Sequence, residues 1–298
     1  ASGSPRLETG TPGWLDGGEL REVRFMDDAT AQTDPKELCS KLLLGARERG
    51  AAVVSGVAEG LEIDEGSGAV TSVTLEGGGG SVDGVAALVV AMGPWSVRAE
   101  SWFEGLRVPL EGIKSTSLVF DGDERTAASP AALFCAEDVN GCHMEVYPRN
   151  NGQVYCCGLG GSDYVSAERL KPGGDCDSPA KISADPARVS AGTATLRGMA
   201  PGVAGEGPLH TQACMRPCAP DAMPIMGPVP GCPNAFLNCG HNCWGISWSP
   251  AAGLAMAELV LDGRSGSIDL KPFSPGRFQP RAQSRGRKFV DRAVGEQW

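Results

Sequence analysis

"FLNCGHNCWGISWSPAAGLAMAELVLDG", residues 236–263, reads as the end of a strand, a turn and a helix. Phe236 and Leu237 close an apolar run, and Gly240 and Gly245 bracket the turn. Ser249–Pro250 is the expected helix start, with Ser249 as N-cap and Pro250 in the first helical position. Gly263 is expected just past the other end, where a left-handed residue commonly stops a helix. Ala251, Ala252 and Gly253 leave room for a close backbone approach. Unpaired N–H groups and the positive end of the helix dipole favour negative charge there, by about 0.3–1 kcal/mol. The segment therefore suits an anionic or electron-accepting ligand; an ordinary buried strand–turn–helix would read the same way.

The remainder of the chain narrows the classes of function. It has 298 residues, 41 % hydrophobic and 21 % charged, without an apolar run of membrane-spanning length, which describes one large globular domain or two smaller ones. A formal net charge of −10 argues against nucleic acid or an anionic membrane as the main partner. Eleven cysteines form no CxxC, and none of His143, His210 and His241 stands at metal-motif spacing to a cysteine pair. Reduced, mostly packed thiols are expected, in a reducing intracellular compartment, cytoplasm or organelle. The sequence opens on Ala1 rather than Met, so a targeting segment would not be visible.

Along the chain, Pro35 starts a helix over KELCSKLLLGARERG with an apolar stripe of Leu38, Leu42, Leu43 and Ala46, ended by Gly50. Residues 51–63 read as a strand, 69–77 alternate at period two, Gly77–Gly80 form a tip, and VAALVVAMG (85–93) reads as a strand buried on both faces. These pieces predict one α/β layer. Residues 106–122 and 143–161 read as strands, with NNG (150–152) as a hairpin turn and Asp185–Pro186 opening a helix. This stretch lacks βα alternation and predicts a largely antiparallel domain. The fold expected is α/β (α+β): residues 1–105 a partial nucleotide-binding, Rossmann-like domain, 106–210 an antiparallel substrate domain, 211–278 a return to the first domain, and 279–298 a basic tail.

Several strings occur together along the chain: ALVVAMGPWS, EVYPRNNGQVY, CMRPCAPDAMPIMGPVPG (214–231), NCGHNCWGISWSPAAGLAMAELVLDG and DLKPFSPGRF (269–278). From about Ala31 to Phe278 they resemble the D-amino-acid-oxidase-like FAD oxidoreductases, the superfamily of glycine and sarcosine oxidases. The GH-x-CWGI form resembles a eukaryotic branch of uncharacterised oxidoreductases. The resemblance implies FAD as cofactor and an amino acid or amine as substrate, with hydride passing from the carbon beside nitrogen to the flavin. A flavin would suit the opening segment, because its reduced form gathers negative charge on one edge of the ring system.

By the same resemblance, Val57 matches a position whose backbone meets adenine, and Ala91, Gly93 and Trp95 match a loop beside the pyrophosphate and ribose. Gly227, Gly240, His241, Trp244, Gly245, Ile246 and Ser247 match the turn around the isoalloxazine edge. Arg216 matches a substrate-carboxylate clamp, a role for which a guanidinium fork is apt, with an ordinary ion pair as the alternative. Tyr147 is either a pocket residue or a packed hairpin tyrosine. Cys214 aligns with the stretch where sarcosine-oxidase relatives carry a covalent flavin link, and a packed thiol is the other reading.

One family hallmark does not occur. No GxGxxG follows a buried strand into a helix; GSGAVT, GLGGSD and GEGPLH all fail the pattern. The phosphate-binding βαβ is therefore expected from another polypeptide or from upstream sequence. The alternative reading is a flavin-free, non-catalytic subunit of a larger assembly.

Overall fold

A computed structural model describes residues 12–18, 24, 26, 29, 31–128 and 130–279. The turn-rich start and the basic tail fall mostly outside them. In chain order the strands are β1 (Ala58–Ile63), β2 (Val70–Leu75), β3 (Ser81–Asp83), β4 (Leu88–Val90), β5 (Glu111–Asp121), β6 (Leu133–Phe134), β7 (Glu145–Pro148), β8 (Gln153–Cys157), β9 (Asp163–Val165), β10 (His210–Cys218), β11 (Ile225–Pro228) and β12 (Ala235–Cys239). The helices are α1 (Pro35–Glu48), α2 (Glu124–Ala128), α3 (Ala167–Leu170), α4 (Pro186–Met199), α5 (Pro201–Ala204) and α6 (Gly245–Asp262). The chain divides into two compact units: unit 1 is Ala1–Ala51, Lys114–Asp163 and Ile182–Cys214, and unit 2 is Ala52–Ile113, Tyr164–Lys181 and Met215–Trp298.

Unit 1 is built on an antiparallel sheet. The strand order is β10–β5–β8–β7–β6, with β9 also paired to β5. The β7–β8 hairpin turns at Arg149–Gly152, closed by Arg149 N–H to the Gln153 carbonyl at 2.7 Å, as NNG predicts. Alternate residues Leu118, Phe120, Val146, Val154 and Cys156 point to one face and are fully buried with Leu196 and Ala200 at the end of α4 and with Trp14. Each large apolar side chain so buried contributes about 1.5–3 kcal/mol. The helix approaches closely because position 192 is glycine: a Cβ there would sit 2.8 Å from Leu159 Cδ2. Asp185 caps α4, its carboxylate accepting from Ala187 N–H at 2.8 Å, and Pro186 takes the first turn, as expected. Helix α1 is capped in the same way by Asp34. Its apolar stripe is not buried, however; Leu42 is 60 % exposed.

Unit 2 holds two three-stranded sheets. One is the antiparallel meander β1–β2–β3; the other has the order β11–β12–β4, with β12 antiparallel to β11 and parallel to β4. Asn234 joins them, its amide donating to the Val70 carbonyl at 2.9 Å and its oxygen accepting from Val70 N–H at 2.8 Å. Helix α6 packs Ala252, Ala255 and Met256 on Met226 and Phe236 of the second sheet.

The single α/β layer expected of the first ninety residues is not found. Helix α1 belongs to unit 1, whereas β1–β4 belong to unit 2, where they are split between two sheets. The strand expected over 51–63 begins only at Ala58, after the break at Gly56. Strand β4 is not buried on both faces: among the described residues it pairs on one side only, and Val89 is 37 % exposed. An apolar run records what a strand prefers to face, not which neighbours this chain supplies.

Candidate functional site

The geometry of unit 2 centres on two parallel strand ends. Leu237 of β12 pairs with Val90 of β4. Three residues beyond each, the chain turns at Gly240 (φ 76°) and Gly93 (φ 57°), backbone conformations that favour glycine. A Cβ at Gly240 would also approach Leu110 Cδ2 to 3.1 Å. The segments Ala91–Trp95 and Gly240–Ser247 thus leave the carboxyl ends of neighbouring parallel strands, the place where open α/β sheets bind ligands. Gly227 lies in the same row of the sheet, opposite Leu237, and its φ of 135° is again a glycine conformation.

The turn after Gly240 is held from below. His241 bridges to Cys218 at the end of β10. Asn242 adopts φ 53°, and its side-chain oxygen accepts from the Cys218 thiol at 3.1 Å. Burial pushes that thiol up to about 11, against the opposing pull of the Arg216 charge, so it remains a protonated donor. Arg216 is half-buried and two residues from Cys218, on the same side of the strand, close in sequence to the bridge that holds the turn. The imidazole of His241 is held below its ordinary value by burial and is therefore neutral near pH 7. Its Nε2 is buried without a hydrogen-bond partner among the described residues.

The helix does not start at Ser249–Pro250. A 3₁₀ turn, Asn242–Trp244, leads directly into α6 at Gly245, so Gly245 is the first helical residue rather than the end of the turn. Pro250 lies one turn inside and takes the donor away from the Ile246 carbonyl; Ser249 Oγ supplies one at 3.1 Å. Trp244 is the N-cap and makes no side-chain cap bond, so no side chain of the N-cap closes the positive end of the helix dipole. Trp244 stacks on Trp248 with ring centroids 5.9 Å apart, and Ile246 beside them is 49 % exposed. Ser247 Oγ returns to the Trp244 carbonyl at 3.1 Å. Gly263 ends the helix at φ 73°, as expected.

The other expected residues are placed as follows. Val57 is exposed, and its carbonyl accepts from Glu76 N–H at 2.9 Å. Ala91 is exposed beside Gly93, and Trp95 gives its indole N–H to the Cys176 carbonyl at 2.9 Å. Tyr147 and Cys214 belong to unit 1, Tyr147 on the β7–β8 hairpin and Cys214 exposed on β10.

The family described as FAD dependent oxidoreductase, DAO, matches residues 5–259 of this sequence. The chain belongs to that family. Among its relatives, the "Putative oxidoreductase TDA3" of Saccharomyces cerevisiae is 27 % identical over 208 residues, 65 % of this chain and 35 % of the yeast protein. Glycine oxidase of Pseudomonas aeruginosa is 28 % identical over 188 residues, 63 % of this chain and 45 % of that enzyme. In fold, the chain resembles the crystal structure of glycine oxidase from Geobacillus kaustophilus, with a TM-score of 0.61 at 20 % identity, covering 81 % of this chain and 57 % of that one. The chain therefore spans about a third to three fifths of the length of these relatives.

The residues present suit the ring end of FAD. A helix start without a side-chain cap, two exposed apolar side chains and an unpaired buried imidazole nitrogen all belong to the segment that follows the strand end. Sequence reading found the turn but missed Cys218 and Asn242, which hold it. Twenty-four residues separate them, and no spacing rule links a thiol to a left-handed asparagine. Among the described residues no helix is long and apolar enough to cross a membrane.

Proposed function

We propose that this chain forms the flavin-ring and substrate part of an FAD-dependent oxidoreductase that oxidises a carbon–nitrogen bond in an amino acid or amine. In this reading residues 1–105 and 211–278 serve the flavin and 106–210 the substrate. The observation that carries it is the start of α6, without a side-chain cap, after the carboxyl end of one of two parallel strands, in a chain of this family. FAD, when bound, supplies the acceptor for hydride from the carbon beside nitrogen.

The chain's own part is to bind and orient. The N-terminal end of α6, Gly245 to Ser247, turns the positive end of the helix dipole to the electron-rich edge of the ring system. Neutral His241 offers one hydrogen bond at Nε2 without adding charge. Trp244 and Ile246 exclude water from the ring face, and Arg216 fixes a substrate carboxylate bidentately, which sets the orientation of the neighbouring C–H. No side chain is assigned as catalytic acid or base, and hydride transfer does not require one.

The test is flavin content. The protein isolated from its source is expected to carry FAD, and Ile246→Asp, which places a negative charge at the helix terminus, is expected to lose most of it while its circular dichroism stays that of the parent. A parent protein without flavin would instead support the non-catalytic subunit.

A further inference from the structure

The β7–β8 hairpin of unit 1 has two unlike faces. Val146, Val154 and Cys156 point into the core. Glu145, Tyr147, Tyr155 and Cys157 point the other way and are only half-buried. Pairing sets Tyr147 opposite Tyr155 and Glu145 opposite Cys157, and Phe134 of β6 lies opposite Glu145 on its other side. Phe134 is 58 % exposed, so the face is open to solvent at that edge.

A carboxylate is an unusual choice for the middle of such a face. Glu145 Oε2 accepts from Tyr147 Oη at 2.5 Å and from Cys157 Sγ at 3.5 Å. Burial, with the Glu145 charge adding to it, pushes both the phenol and the thiol up, so both remain neutral donors to the carboxylate. Among the described residues no Lys, Arg or His forms an ion pair with it. The nearby guanidinium of Arg149 faces Asp34 at 3.5 Å and lies over the Tyr155 ring at 4.8 Å.

The rings around the carboxylate complete the pattern. Phe134 meets Tyr147 edge-on with centroids 5.9 Å apart, and Tyr155 lies 6.2 Å from Tyr147. A carboxylate with neutral partners only, set among three aromatic rings, matches an organic ammonium ion. The charge meets Glu145, the polarised C–H groups meet the ring faces, and the carbon skeleton covers apolar surface. An anion would be repelled by Glu145. A hard metal ion would find one carboxylate and a protonated thiol, too few oxygen ligands.

We propose that Glu145, with Tyr147, Tyr155 and Phe134, is a recognition site for the ammonium group of an amine or amino acid, and that Glu145 is its counter-ion. The site lies within unit 1; that its ligand belongs to the amine class rests on the function proposed above, and binding itself needs no flavin.

The chain contains three tyrosines, which makes a direct test possible. In a ring-¹³C-tyrosine-labelled protein, Tyr147 and Tyr155 report on the site, and Tyr164, in β9 and assigned to unit 2, is the internal control. Titration with ethylammonium chloride is expected to shift the Tyr147 and Tyr155 signals to saturation, while ethanol at equal concentration and ionic strength leaves them in place. Glu145→Gln, with its Tyr164 signal unmoved, is expected to weaken ethylammonium binding about tenfold or more. Equal shifts with ethanol in the unmutated protein, silence of Tyr147 and Tyr155, or undiminished binding by Glu145→Gln would overturn the site. The two proposals fail separately: a flavin-free protein that binds ethylammonium keeps this site and loses the oxidoreductase reading. A flavoprotein whose ethylammonium binding ignores Glu145 does the reverse.

Discussion

The turn beneath the helix terminus gives a sharp prediction at Asn242. It is buried, holds φ 53° and accepts the Cys218 thiol at 3.1 Å. Replacing it with alanine places an ordinary Cβ in left-handed backbone, at about 1 kcal/mol. It also removes the acceptor of a buried donor, at about 1 kcal/mol more. Asn242→Ala should therefore cost about 2 kcal/mol in urea unfolding with an unchanged m-value, and Asn242→Gly, which restores the backbone freedom, about 1 kcal/mol. In a Cys218→Ala background the hydrogen-bond share has already gone, and Asn242→Ala should cost only the backbone share, about 1 kcal/mol. If glycine is as damaging as alanine, the left-handed strain plays no part. If the Cys218→Ala background leaves the cost of Asn242→Ala at its full value, the thiol bond contributes nothing, and the account of how this turn is held is wrong.

Three further predictions concern the scaffold and the site. Asn234→Ala strips both hydrogen bonds from the buried backbone of Val70 and should lower stability by about 2–4 kcal/mol in the same assay; Asn234→Asp should recover only the acceptor half. Gly192→Ala drives a methyl to within 2.8–3.0 Å of Leu159 and Leu118, side chains able to yield in part, so a loss of about 1–3 kcal/mol is expected. Because burial holds His241 below 6.5 when folded, the unfolded chain takes up its proton first as pH falls. The His241 contribution is thus complete above pH 6.5 and is lost as pH drops from there towards its folded value; His241→Gln should flatten that part of the stability profile, and an unchanged slope would refute neutral burial.

What the sequence revealed follows from how local each signal is. Asp34–Pro35 and Asp185–Pro186 marked helix starts because an acidic cap and a fixed φ act within one turn, and both were found in place. NNG and Gly263 were legible for the same reason: backbone geometry at a turn or helix end depends on the residue that adopts it. Ser249–Pro250 carried the same kind of signal but was overruled, because the turn at Asn242–Trp244 had already begun the helix and Ser249 could mend the bond that Pro250 removes. The sheet partners of β4 and the exposed stripe of α1 were not legible, since apolar patterning does not say which elements a face will meet. The turn at Gly240–Ser247 was visible as a motif, whereas its support by Cys218 and the setting of the Glu145 carboxylate appear only when the strands are paired.

The most direct measurement of the central claim is the absorbance spectrum of the protein isolated from its source, recorded anaerobically before and after addition of an amino acid. An oxidised flavin spectrum that bleaches on addition is expected, with an Arg216→Met variant needing a far higher amino-acid concentration to bleach. A protein that carries no flavin, or carries flavin that no amino acid or amine reduces, would contradict it.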